Sequence, residues 1–218
     1  MVSLRNLLSF ACRRASPTPL LVRRSLRAQR QIVIGALWYP SADSKFPPSM
    51  PGQPLPDAEQ LLQALIEKMR PEAGPQTGLI GIHTGGVWLA ERLHQALQLA
   101  VPLGSLDVSF YRDDYEKIGL HKDVKRSDIP FDVEGRQLIL VDDVLYTGRT
   151  IRAAMNELFD YGRPASIQLA ALVDRGGREL PIAAQFVGAE IQVDPQQGIE
   201  LKRGESGRLS LVFYTQGA

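Results

Sequence analysis

The chain has 218 residues, 44% hydrophobic and 22% charged, the profile of one ordinary globular domain with or without an appendage. A single cysteine, Cys12, excludes a disulfide framework, and the three scattered histidines, His83, His94 and His121, lack zinc-ligand spacing. The net charge of +1 hides an asymmetry: residues 1–42 carry seven arginines and no acid, leaving 18 Lys and Arg against 24 Asp and Glu in residues 43–218, a net of −6. A body of that sign gives no general case for nucleic-acid binding, and no apolar run approaches the ~18 residues of a membrane span.

The basic head, residues 1–49, runs into a Pro/Gly-rich linker over 46–54. It is expected to be a disordered extension, with the folded domain occupying residues 50–218. Its composition leaves three readings open: upstream sequence ahead of an initiator at Met50, an organellar transit peptide, or a functional arm. Past the linker, Asp57 is placed as N-cap of a helix over 58–69, with Leu61, Leu62, Leu65, Ile66 and Met69 on one face and Arg70-Pro71 as its stop. A buried strand is predicted over 78–82, then a helix opening at Gly85-Gly86 with Leu89, Ala90 and Leu93 at core spacing. Residues 106–111 alternate like a strand, and 112–130 read as a long charged loop with a task. The clearest buried strand is 137–141, followed by a helix over 150–161 closed by Gly162. A strand over 167–173 and two or three short β runs between 186 and 214 complete the chain. Strands alternating with helices predict an α/β fold: a parallel-rich sheet, flanking helices and a small β-containing hood.

The chemistry concentrates in 138–150. Four apolar residues end in Asp142-Asp143, at the strand's C-terminal end, where ligands bind in open α/β sheets. The turn Tyr146-Thr147-Gly148-Arg149-Thr150 then opens a helix. Its free N–H groups, positive helix end and two threonine hydroxyls suit a phosphate monoester, and Gly148 lets the backbone approach it. Carboxylates one phosphate-length away suit ribose hydroxyls, so the whole describes a site for a ribose 5-phosphate. Thr84-Gly85-Gly86 repeats the strand–turn–helix pattern and reads as a second anion turn.

The run 138–150 resembles the phosphoribosyl pyrophosphate (PRPP) motif of type I phosphoribosyltransferases. The resemblance implies that Asp142 and Asp143 hold the ribose hydroxyls, that Thr147, Gly148, Arg149 and Thr150 bind the 5′-phosphate, and that Val144, Leu145 and Tyr146 belong to the same PRPP site. Purine members usually carry an aspartate where this chain has Tyr146, which favours a pyrimidine base. The segments 79–90, 101–114 and 162–182 are similar in order and spacing to the bifunctional pyrimidine operon regulator/uracil phosphoribosyltransferase (PyrR) family. That resemblance covers about residues 57–188 and implies a homo-oligomeric transferase, uracil plus PRPP giving UMP and pyrophosphate, with Mg2+ as cofactor and a cytoplasmic location. It implies that Thr84, Gly85, Gly86 and Arg112 face pyrophosphate. Asp174 and Arg175 fall in the base hood, where the acid also faces magnesium. Arg175 and Arg178 fall on the face that contacts pyrimidine-operon leader RNA.

Two departures matter. Gly85 stands where the family usually has arginine, removing one cation from the pyrophosphate turn. Gly177 stands where it usually has histidine, weakening the RNA face. Three rivals follow: a catalytically weak, nucleotide-dependent RNA attenuator, a purine phosphoribosyltransferase, and a nucleotide-sensing interaction protein. His83 and Trp88 read equally as core residues, and the charges of 113–126 as solvated loop.

Overall fold

The computed structural model describes residues 54–108, 126–194 and 196–215. Arg112, most of the charged loop and the head with Met50 lie outside the described residues. Helix α1 spans Ala58–Met69, and Asp57 caps it by accepting the N–H groups of Glu59 at 2.8 Å and Gln60 at 3.4 Å. Its buried face is Leu61, Leu62, Leu65, Ile66 and Met69, the set its spacing predicts. Strand β1, Gly78–Ile82, is buried throughout and leads to α2, Gly85–Leu97, which buries Leu89, Ala90 and Leu93. Gln98 closes α2 in the left-handed region.

Strand β2 is shorter and earlier than its alternation predicts: Gly104–Leu106, with Val108 buried beyond it and 109–111 outside the described residues. β2 pairs with the whole C-terminal half of β1, Ile80 to Ile82 against Gly104 to Leu106, so neighbouring backbone selects Gly104 and Ser105 despite their poor strand propensity. Strand β3, Gln137–Leu145, continues four residues past the apolar run and carries the acid pair within its ladder, Asp142 opposite Ala171. Helix α3, Arg149–Tyr161, ends at Gly162 (φ 148°). Strands β4, Ser166–Asp174, and β5, Phe186–Glu190, follow.

The five strands form one parallel sheet in the order β2-β1-β3-β4-β5. Alternation along the strands splits the core into two layers. Leu79, Ile139, Val141, Ala170 and Leu172 face α1 and α2; Ile80, Leu138, Leu140, Leu169 and Ala171 face α3. The sheet therefore carries helices on both faces. An antiparallel hairpin, β6 (Gln197–Arg203) and β7 (Leu209–Thr215), forms the small β element. Its Ile199, Leu201 and Leu209 enter the α1/α2 layer. Polar ties add to that packing: Arg208 to Asp57 at 2.8 Å, Leu209 N–H to Glu59 at 2.9 Å, and Arg203 to Glu91 at 3.2 Å. Among the described residues, no helix is long and apolar enough to cross a membrane.

Candidate functional site

The strand order sets the site. Chain connections leave β1 and β3 in opposite lateral directions, β1 toward β2 and β3 toward β4, which opens a crevice at their C-terminal ends. Both turns that the sequence singles out for anions stand there. After β1 comes Thr84-Gly85-Gly86, with His83 N–H donated to Leu106 O at 2.8 Å and a cis His83–Thr84 peptide. After β3 comes Tyr146 to Thr150.

The first turn packs directly against the end of β3. A Cβ on Gly85 would collide with the Asp143 carboxylate and lie 2.9 Å from Asp143 Cβ, and a Cβ on Gly86 would land on the Val141 carbonyl. Only glycine lets the first turn lie this close against the acid pair. Asp142 is buried and its Oδ1 accepts the N–H of Asp143 at 3.0 Å, while Asp143 is half-buried at the crevice. Val144 is half-buried and Leu145 fully buried, so both serve the core beneath the site.

Two helix N-termini open onto the crevice. Where Asp57 caps α1, the N-cap Thr84 makes no side-chain cap bond to α2 and Gly148 has none to offer α3. Thr147 Oγ1 accepts Arg149 N–H at 3.3 Å. Gly148 takes φ 90°, a left-handed turn that aims the following amides along the new helix. The guanidinium of Arg149 pairs with Glu179, 2.7 Å from Nη2.

The far side of the second turn is held by the loop after β4. Thr147 O accepts the N–H groups of Glu179 and Leu180 at 3.0 and 3.1 Å, and Arg175 N–H donates to Leu145 O at 3.1 Å. Arg178 points inward: it pairs with Asp174 and donates to Tyr146 O at 2.5 Å, Leu145 O at 3.3 Å and Ile182 O at 3.0 Å. Asp174 Oδ1 accepts Gly176 N–H at 2.9 Å. Arg175 is 9% exposed and its Cζ lies 3.9 Å from the centroid of the Tyr146 ring. Both hood arginines therefore brace the turn from within.

Nothing in the sequence marks Glu190, which stands beside Asp174 in the parallel register. Burial pushes its carboxyl above the usual range, Asp174 adds to the rise, and Lys68 partly opposes it. The contacts of Arg178 and the Arg149–Glu179 pair are equally unmarked, though β3 and β4 ending in register predicts that their following loops meet. Trp88 is half-buried against the α1/α2 layer, and His94 Nε2 lies 2.7 Å from Val101 O.

A parallel sheet whose crevice joins an acid pair to two anion turns is the architecture of a phosphoribosyltransferase. The family described as Phosphoribosyl transferase domain matches residues 53–200. The bifunctional protein PyrR of Nitrosococcus oceani is 54% identical over 155 residues, which is 70% of this chain and 88% of that one. Its counterpart in Pseudomonas savastanoi pv. phaseolicola is 48% identical over 161 residues, covering 72% and 95%. This chain belongs to the PyrR family of phosphoribosyltransferases. Among solved structures, a hypoxanthine-guanine phosphoribosyltransferase from Bacillus anthracis shares the fold at a TM-score of 0.52 and 23% identity, over 66% of this chain and 85% of that one.

Proposed function

We propose that the chain transfers the phosphoribosyl group of PRPP to uracil, giving UMP and pyrophosphate, and couples that reaction to regulation of pyrimidine genes. The observation that carries this reading is the meeting of the first turn with the acid pair, Gly85 packed against Asp143, beside two helix N-termini that no N-cap side chain closes. A ribose whose hydroxyls sit on Asp142 and Asp143 places its 5′-phosphate at Thr147 to Thr150. Its 1-pyrophosphate then falls at Thr84 to Gly86. Uracil forms the new bond to the anomeric carbon as the pyrophosphate bond breaks, through a transition state with positive charge on the ribose. Fixed N–H groups stabilise the charge gathering on the leaving group. The acidic ring N–H of uracil needs little base catalysis, which suits the uncharged Tyr146 beside the turn.

Among the described residues, no cluster of three or more His, Cys, Asp or Glu is placed to hold a metal ion. Magnesium fits this donor set as an ion carried by the diphosphate, since it keeps waters and takes only one or two carboxylates. Asp142 and Asp143 are the residues that would meet it, and bound there it supplies charge neutralisation of the pyrophosphate. Arg112 is proposed to close on the same leaving group. The relatives' name, bifunctional protein PyrR, supports a second activity beside transfer. Contact with leader RNA through Arg175 and Arg178 requires the loop they brace to open. A homo-oligomer and a cytoplasmic location belong to the same reading.

The test is a radiolabelled base panel with PRPP and magnesium, beside an RNA gel shift. Uracil is converted, and Asp142→Asn with Asp143→Asn lowers UMP formation by at least about 10²-fold. Unchanged turnover in that double variant removes the site assignment. Exchange with hypoxanthine or guanine but not uracil removes the choice of base.

A further inference from the structure

Leu145 and Asp174 are opposite one another in the last rung of the β3–β4 ladder, so Tyr146 and Arg175 leave the sheet side by side. Two contacts and a glycine gap join them. The Arg175 N–H reaches back to Leu145 O at 3.1 Å, and its guanidinium carbon lies over the Tyr146 ring, 3.9 Å from the centroid and well inside cation–π range. Gly177, at φ 70°, leaves the space the ring fills; a Cβ there would sit 3.0 Å from Tyr146 Cδ2 and closer still to Cε2. The arrangement also has a cost. Arg175 is 9% exposed, yet its Nε has no hydrogen-bond acceptor among the described residues.

A guanidinium buried with a donor unused is a poor way to gain stability, because each unmet donor forfeits its hydration. Nor is Tyr146 a core residue, being 37% exposed. What the stack does is fix the ring of the residue immediately before Thr147, and with it the direction in which the phosphate turn leaves β3. It also holds a buried, weakly screened positive charge beside the turn that takes a dianion.

We propose that Arg175 is a positioning residue for PRPP, acting through its stack on Tyr146 to hold the 146–150 turn in the shape that receives the 5′-phosphate. The proposal rests on the PRPP reading above. It assigns to Arg175 work on the phosphate end of the substrate rather than on the base.

The test measures PRPP binding by equilibrium dialysis with magnesium, beside steady-state kinetics, on the full chain and its variants. Arg175→Met and Tyr146→Leu each weaken PRPP binding about tenfold, the scale of one partly desolvated cation–π contact. The KM for PRPP rises in step with the lost binding, by a larger factor than kcat falls, since the interaction lost is one of binding. The two changes do not add: the double variant binds about as weakly as either single one. Tyr146→Phe keeps a ring under Arg175 and recovers most of the affinity lost in Tyr146→Leu. Arg175→Met binding PRPP as tightly as the unaltered chain overturns the proposal. So does a double variant whose loss is the product of the singles. Should Arg175→Met fail to fold, the half-exposed Tyr146 pair, Leu against Phe, carries the test, and equal PRPP affinity in those two overturns it. An unaltered chain that binds no PRPP overturns the PRPP reading itself.

Discussion

Gly85 and Gly86 show how much of the crevice rests on missing side chains. The cation usual at position 85 in the family cannot be restored by substitution alone, because the first atom of any side chain meets Asp143. Gly85→Arg is therefore expected to push Asp143 off the position proposed for the ribose and lower PRPP-dependent turnover on the order of tenfold to a hundredfold, the cost of misplacing a reacting group by about an ångström. A rise in kcat/KM for PRPP would show that the turn relaxes around the new residue. Gly86→Ala is a different experiment, since its Cβ meets the Val141 carbonyl, which is buried backbone and cannot swing away. Overpacking there costs about 1–3 kcal/mol, a fall of roughly 2–12 °C in Tm for a domain of this size. Thermal unfolding read by circular dichroism measures it directly.

The elements were legible where burial follows a simple period, and less so where neighbours decide. α1 carries its cap, its apolar stripe and its proline stop in the sequence, and it stands at the residues those signals name. β3 was legible as a strand but not to its end. Its last four residues include two acids, and only pairing with β4 reveals that Asp142 lies inside the ladder. Of the site, the acid pair and both turns announced themselves as strand–turn–helix junctions. The bracing loop did not: the resemblance put Arg175 in the base hood and Arg175 and Arg178 on the RNA face, and their contacts with the second turn emerge only once the register brings β3 and β4 to a common end. The tie between α1 and the hairpin was likewise invisible, joining residues about 150 positions apart. That tie titrates. The Glu59 N–H holds the Asp57 carboxyl below its ordinary 3.8 against some desolvation, and Arg208 helps. Burial works to raise Glu59, but Leu209 N–H and Arg92 outweigh it and leave it below 4.5. Carboxyls lowered by folding stabilise the fold above their ordinary values, and that contribution is lost as pH falls through the folded ones. Glu190, raised by burial, has the opposite sign: its contribution weakens as pH rises through the ordinary value toward the folded one. Asp57→Ala with Glu59→Gln should lower Tm at neutral pH and flatten the loss of Tm below about pH 4.5. An acid limb as steep as that of the unaltered chain would place the acid sensitivity elsewhere.

At the scale of the whole molecule, the sheet order, the two core layers and the crevice are all completed within the described residues that begin at Pro54. The family match begins at residue 53, and the PyrR relatives are covered over 88% and 95% of their lengths by 70% and 72% of this chain. Residues 1–42 hold seven arginines and no acid. Ordering each against the domain would cost roughly 1.5–2 kcal/mol of side-chain entropy before any gain. We propose on these grounds that residues 1–49 are dispensable for folding and transfer. A chain starting at Met50 is expected to unfold at the same temperature as the full chain and to bind PRPP equally well. A midpoint lower by several degrees, or weaker PRPP binding, would show instead that the head docks on the domain. In that event the salt dependence of the difference identifies the contact. An arginine arm on the domain's acidic body loses its hold as ionic strength rises past about 0.15 M, where exposed charges more than about 8 Å apart are screened. Mass spectrometry of the N-terminus of the protein isolated from its host separates the remaining readings of the head. A start at Met50 matches upstream sequence, a cut within residues 1–49 matches a transit peptide, and an intact head matches an arm.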